Sequence, residues 1–280
     1  MAIEHISDTA RWIAVYRAWE TDRPDARFRD PLARRLAGEK GEAIVRNMRR
    51  GRASSWAMVV RTYVIDEIIV REVNNGVDTV INLAAGLDTR PYRLNLPKSI
   101  RWIEVDLPGI LAYKEEVLKD EKPVCQLERV RLDLSNITAR QLLFQDLNAS
   151  TKKALVLTEG LLIYLPEEHV AGLAKDLHSE SSFQFWLLDL TSPFLLKMLQ
   201  NWYSKDLGGD IKMQFAPAEG PDYFRKFGWI PKEFRYMSVE GKKIDRTPSH
   251  AWLWRIFSLF MSREKRDGFL KNGLLLLERQ

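Results

Sequence analysis

The sequence predicts an α/β protein built on an open, doubly wound parallel sheet, and three observations carry that reading. Short apolar runs at 79–84, 101–105, 125–132, 154–158 and 183–190 alternate with helical segments at 92–95, 109–119, 139–147 and 167–178. Strands alternating with helices form parallel β-α-β units, and right-handed crossovers place the helices on both faces of the sheet. The first strand runs into a tight turn with a single glycine, in VINLAAGLDTRPYRL at 80–94. Three successive strands then end in acids: Glu104-Val105-Asp106, Leu132-Asp133-Leu134 and Thr158-Glu159-Gly160.

The N-terminal third reads as helical. Trp12, Ile13, Tyr16 and Trp19 recur at helical spacing over 9–19, and Asp30-Pro31 suits the first turn of a helix over 28–36. The longest helical pattern, 56–70, places Trp56, Val59, Val60, Tyr63, Val64 and Ile68 on one face and stops at Asn74, Asn75 and Gly76. Beyond the alternating region, two further strands are expected at 233–239 and 274–277. The stretch 191–228 fits no simple crossover and carries Trp202, Tyr203, Phe215, Tyr223, Phe224 and Phe227, so it reads, with the N-terminal helices, as a cap. The expected division is N-terminal helices at 1–75, a ligand-binding core at 76–190, a cap at 191–230 and sheet-completing strands at 231–280.

With 280 residues, 45% apolar and 29% charged, the chain has enough apolar residues for a sizeable core. Its 43 basic and 38 acidic residues leave a charge of +5, spread along the chain. Nucleic-acid binding calls for a concentrated basic stripe, and the densest run, RNMRRGR with Arg46, Arg49, Arg50 and Arg52, reads as a solvated helix end. The single cysteine, Cys125, cannot form an internal disulfide and reads as a small buried hydrophobe in a reducing, cytoplasmic setting. The opening MAIEHISDTARW lacks the basic and apolar regions of a signal peptide. WLWRIFSLFM at 252–261, interrupted by Arg255, reads as a core helix rather than a membrane anchor.

Ligands of open α/β sheets bind beyond the C-terminal strand ends. A dinucleotide pyrophosphate usually meets three glycines there, whereas Ala84-Ala85-Gly86 supplies one, with Asp88 placed to repel phosphate. Glu104 or Asp106, about 20 residues past the turn, suits a ribose diol. Asp133 can accept from the exocyclic amine of adenine, and Glu159 can pair with an ammonium. The set fits a cationic nucleoside without phosphate, such as S-adenosylmethionine, with Arg61 available for its carboxylate. Each residue also has a structural reading: Asp88 as a helix cap, Asp133 as a turn residue, Arg61 as a surface charge.

NLAAGLDTRPYRL, WIEVDLPGI, VRLDL and TEGLLIYL, in this order, resemble the leucine carboxyl methyltransferase family. The likeness is closer to its bacterial branch of S-adenosylmethionine-dependent O-methyltransferases, including those of polyketide biosynthesis; TARWIAVYRAWETDRPDARFRDPLARRLAG and WAMVVRTYVID match that branch too. The resemblance implies a class I methyltransferase fold, Rossmann-like, with seven strands of which the last is antiparallel. It implies that Arg61 binds the cofactor carboxylate, Ala84, Ala85 and Gly86 the methionine part, Asp106 the ribose with Glu104 beside it, Asp133 and Leu134 the adenine, and Glu159 the methionine end. The family's usual first loop glycine is Ala84 here, and Arg17 lies near another basic position of the family.

The expected reaction is methyl transfer to a carboxylate or phenolic oxygen of a small, largely apolar acceptor. Tyr16, Arg17, Trp202 and Tyr203 are candidate acceptor-site residues, with Trp12 and Phe215 as further aromatic walls. No general base is assigned, because His5, His169, His178 and His250 show no catalytic partner, and no metal site is expected. The competing readings are a protein that binds the cofactor without transferring methyl, a macromolecule-modifying methyltransferase and, against the missing glycines, a nicotinamide-dependent oxidoreductase.

Overall fold

The computed structural model describes residues 6–48, 51–203, 208, 211–248 and 271–280. Its strands are β1 (Thr79–Leu83), β2 (Arg101–Asp106), β3 (Gln126–Arg131), β4 (Ala154–Thr158), β5 (Phe183–Leu190), β6 (Trp229–Tyr236) and β7 (Gly273–Arg279). They form one sheet in the order β3-β2-β1-β4-β5-β7-β6. The first five run parallel, and β7 is antiparallel to both β5 and β6. The order reverses between β1 and β4, the switch point where such sheets leave a crevice.

Every residue of β1 and β4 is buried, as expected of central parallel strands covered on both faces. Alternation then divides the side chains. Ile81, Leu83, Val156, Trp186, Leu188, Leu275 and Leu277 face one core, beneath α6 (Ile137–Ala149) and α7 (Glu167–Ser179). Val80, Leu155, Leu157, Phe185, Leu187, Leu274 and Leu276 face the other, beneath α3 (Ser55–Asn74). A third cluster joins α1 (Ile6–Thr21), the Gly38-kinked α2 (Ala33–Asn47) and α5 (Pro108–Val117).

Local signals set the boundaries. Gly76, at φ 91°, ends α3, and the Val77 N–H reaches back 3.0 Å to the Glu72 carbonyl. Asn136 caps α6 by accepting the Ala139 N–H at 3.1 Å. Pro166 precedes α7, whose first turn holds Glu167 and Glu168, a favourable placement beside the positive helix end. The segment between β1 and β2 forms only one short turn of helix, α4 (Arg90–Arg93).

Three readings need correction. The helix expected over 28–36 begins at Ala33, because the Asp30 carboxylate is drawn inward by Arg17 and Thr89 and holds the preceding residues as a loop. The strand expected over 233–239 ends at Tyr236, and Met237–Lys243 form α9, whose Gly241 packs where a side chain would meet Trp56 and Val60 of α3. Of the stretch read as a cap, α8 (Pro193–Tyr203) with Thr191 and Met213 lines the cavity described below. Phe215, Tyr223 and Phe224 pack into the sheet's own core, with Phe224 5.2 Å from Trp186 and Phe215 5.3 Å from Tyr223. WLWRIFSLFM lies outside the described residues, as do His5, His250, Arg49 and Arg50. Among the described residues no helix is long and apolar enough to cross a membrane.

Candidate functional site

A cavity of about 790 Å³ opens at the C-terminal ends of the five parallel strands. Its lining takes Asp133 and Leu134 after β3, Asp106 at the end of β2, Ala84, Ala85 and Gly86 after β1, and Glu159 after β4; Arg61 enters from α3. The sheet order arranges these acids in space as Asp133, Asp106, Glu159 and then Asp189 at the end of β5. Asp189 was not singled out from the sequence, although LLDL ends its strand in the same way as the other three.

The turn after β1 is held by its neighbours. Gly86 sits at φ 49° and donates its N–H to Asp106 Oδ2 at 2.6 Å, while the Leu107 N–H takes Asp106 Oδ1 at 2.7 Å. Burial pushes the Asp106 carboxyl up from its ordinary value, although these two bonds oppose the shift. A side chain on Gly86 would lie 3.2 Å from the Ala10 side chain, so α1 lies close over the turn. Ala84 also adopts a left-handed conformation, φ 55°. Beyond β3, Asp133 Oδ1 accepts the Ser135 N–H at 2.9 Å, and Arg140 donates 2.9 Å to the Leu134 carbonyl while gripping Asp176 of α7.

Asp88 lines the cavity but is not a bare negative charge. It accepts from the Arg90 backbone and from Asn82, and Arg90 Nη1 lies 2.9 Å away. Burial raises its carboxyl, but Arg90 and Lys114 outweigh burial and hold it at about 2. The expected repulsion of phosphate by Asp88 is therefore corrected; what the turn withholds from a pyrophosphate is a helix start, since α4 has four residues. Arg90 also reaches Asp66 at 2.6 Å and Glu159 at 2.8 Å. Glu159 faces Arg61 Nε at 2.9 Å, and burial, which raises its carboxyl, loses to Arg90 and Arg61, which keep it low.

Two candidates leave the cavity. Glu104 is fully buried, bound by Lys114 at 2.7 Å and Arg129 at 2.9 Å, so Asp106 alone of that pair lines the cavity. Tyr16 is fully buried with its hydroxyl on the Gly51 carbonyl, and it packs in the α1–α2 core instead of an acceptor wall. Arg17 does line the cavity, but its Nε is taken by Asp30 at 2.8 Å and its Nη2 by the Leu87 carbonyl at 2.5 Å, which fastens α1 to the turn. Trp202 and Tyr203 line the cavity beside Trp12, whose ring is 5.2 Å from Tyr203. Tyr164, also on the wall, has its hydroxyl pushed up to about 12 by burial, so at neutral pH it stays protonated and can donate a hydrogen bond. His169 is exposed on the first turn of α7 at the cavity edge. Among the described residues no group of three or more His, Cys, Asp or Glu is placed to hold a metal ion.

A model of the leucine carboxyl methyltransferase family matches residues 10–178, the segment that contains α1, the glycine turn and the acid-ended strands. The chain belongs to the leucine carboxyl methyltransferase family. A Streptomyces coelicolor relative, named as a candidate S-adenosyl-L-methionine-dependent methyltransferase, is 36% identical over 187 residues. That match covers 62% of this chain and 65% of the relative's own length. A Saccharopolyspora erythraea relative of the same description is 30% identical over 232 residues, 79% of this chain and 80% of its own. Among solved structures, a DUF574 family protein from Streptomyces avermitilis superposes with a TM-score of 0.57 at 13% identity, covering 99% of this chain and 98% of that one. A candidate methyltransferase from Thermobifida fusca gives 0.60 at 12%, covering 99% and 96%. The family's sheet is thus the class I methyltransferase fold, here with β7 inserted antiparallel between β5 and β6.

Proposed function

We propose that this chain is an S-adenosylmethionine-dependent O-methyltransferase acting on a carboxylate or phenolic oxygen of a small, largely apolar acceptor. The observation that carries the reading is the set of acids at successive strand ends, Asp133, Asp106 and Glu159, brought to one cavity around Gly86 with Arg61 opposite. The residues present fit the donor. Arg61 lines the cavity with its Nε paired to Glu159 at 2.9 Å and its Nη1 only 3.5 Å from Asp189, a long contact that a ligand carboxylate could replace. Asp106 is fixed at the cavity wall by two backbone N–H groups, and Asp133 has one oxygen engaged by Ser135. When bound, the sulfonium supplies an electrophilic methyl group already attached to a good leaving group.

The protein's part is then positioning and exclusion of water. Asp133 and Leu134 fix the nucleoside base, Asp106 the ribose, and Arg61 with Glu159 the amino-acid tail. The acceptor lobe is apolar, with Ile13, Trp56, Met58, Leu199, Trp202 and Tyr203 on its walls, and Tyr164 offers a hydroxyl that stays protonated. A carboxylate acceptor needs no base, being ionised at neutral pH. Within the same reading the protein works in a reducing compartment, where the buried Cys125 thiol, pushed up to about 11 by burial, stays unreactive.

Calorimetric titration of Asp106→Ala and Glu159→Ala with S-adenosylhomocysteine tests the assignment. Each variant is expected to bind about 10- to 100-fold more weakly, the range for losing a hydrogen bond to a charged group. Parent-like affinity in both variants would refute the site.

A further inference from the structure

We propose that Asp189 is the residue that favours the cationic methyl donor over its neutral product, S-adenosylhomocysteine. The proposal rests on the cofactor reading above and adds a role for an acid that reading does not use.

A chain of buried ion pairs runs beneath the cavity. Arg17 meets Asp30 at 2.8 Å; Arg93 reaches Asp30 at 3.9 Å and Asp66 at 2.6 Å. Arg90 joins Asp66, Asp88 and Glu159 at 2.6, 2.9 and 2.8 Å. Arg61 closes the chain, 2.9 Å from Glu159 and 3.5 Å from Asp189. Among the described residues, five acids of this chain thus meet four arginines, and Lys114 adds its charge at Asp88. Asp30, Asp66 and Glu159 each touch two arginines, and Asp88 holds Arg90 closely; among the described residues Asp189 meets Arg61 alone, at the longer distance. Its side chain is also the most open of the five, 18% exposed against 0% for Asp30 and 15% for Glu159. Asp189 is thus the least tightly paired of the five, and it stands at the cavity wall. The adjoining buried group of Glu104, Lys114 and Arg129 carries one more positive than negative charge and acts on the chain at Asp88, on the β1–β2 side and away from Asp189 on β5.

Asp189 is also held in place. Its Oδ1 accepts the Gly160 N–H at 2.6 Å, and Gly160, at φ 65°, packs where a side chain would lie 3.2 Å from Arg61 Nη1. In sheet order the acids that suit base, ribose and tail lie on β3, β2 and β4, so β5 carries Asp189 past the tail, toward the acceptor lobe. The donor and its product differ by one methyl group and one positive charge. A fixed, partly desolvated carboxylate interacts with that charge and is nearly indifferent to a neutral thioether.

The test is calorimetric titration of the wild-type chain and Asp189→Asn with S-adenosylmethionine and with S-adenosylhomocysteine, no acceptor being present. Asparagine keeps an oxygen for the Gly160 N–H. The variant is expected to lose about tenfold in affinity for S-adenosylmethionine and to bind S-adenosylhomocysteine within about twofold of wild type. Asp189→Glu, which keeps the charge, is expected to retain most of the preference, and Asp189→Ser supplies a second neutral variant should asparagine not fold. Equal losses for both ligands would reduce Asp189 to a structural role, and unchanged affinities would remove it from the site; either overturns the proposal. A folded wild type that binds neither ligand would instead overturn the cofactor reading itself.

Discussion

At the scale of single residues, the turn after β1 shows what its sequence demands. Ala84 holds φ 55°, a conformation that disfavours a Cβ by about 1–2 kcal/mol, and the family's usual glycine would relieve it. Glycine's greater freedom in the unfolded chain offsets part of that relief, so Ala84→Gly is expected to raise the melting temperature by only about 2 °C, without loss of S-adenosylhomocysteine affinity; scanning calorimetry with and without the ligand checks both. The opposite change, Gly86→Ala, places a methyl against Ala10 at φ 49° and should weaken binding while lowering stability. Asp106, Asp133 and Glu159 were legible because each ends a strand, and strand ends of such a sheet meet at one crevice. Glu104 and Tyr16 were misread because what removes them from the cavity comes from elsewhere in the chain: Lys114 and Arg129 for one, the Gly51 carbonyl for the other. Asp189 carried the same strand-end signature, but its partners, Gly160 and Arg61, are brought to it only by the fold.

At the scale of elements, the short α4 is a hub of charge. Arg90, 2% exposed, links Asp66 of α3, Asp88 of the turn and Glu159 of β4's end, so it fixes the cavity floor to α3. Removing one member of such a network leaves buried charges uncompensated, and Arg90→Met is expected to destabilise the fold by about 3–5 kcal/mol, read by urea denaturation. A loss below about 1 kcal/mol, the range of exposed pairs, would show the network to be dispensable. The five parallel strands and the helices between them were legible from alternating apolar runs, whose period survives burial. The C-terminal edge was less so. YMSVEGKK continues the apolar spacing of β6, yet Met237 to Lys243 turn into α9 because Met237 and Ile244 find their burial against α3. The aromatic residues around 215–227 read as a lid for the same reason that they serve as core: composition alone does not say which surface they cover.

At the scale of the whole molecule, the buried carboxylates predict acid sensitivity. Asp88 moves from an ordinary 3.8 to about 2, and Asp30 and Glu159 are also held low, in each case because arginines outweigh a burial that acts the other way. A depressed carboxyl contributes stability above its unfolded value and loses it as pH falls through the folded value. Urea unfolding followed from neutral pH downward should therefore show stability falling between about pH 4 and pH 2, with a shallower fall in Asp88→Asn. The central claim, that five strand ends and α1 enclose a site for a phosphate-free nucleoside with an amino-acid tail and not for a dinucleotide, is tested most directly by calorimetric titration of the full chain with S-adenosylhomocysteine beside NAD. The account predicts a single micromolar site for S-adenosylhomocysteine and no measurable heat with NAD. A folded chain that takes up NAD, or that ignores S-adenosylhomocysteine, would contradict it.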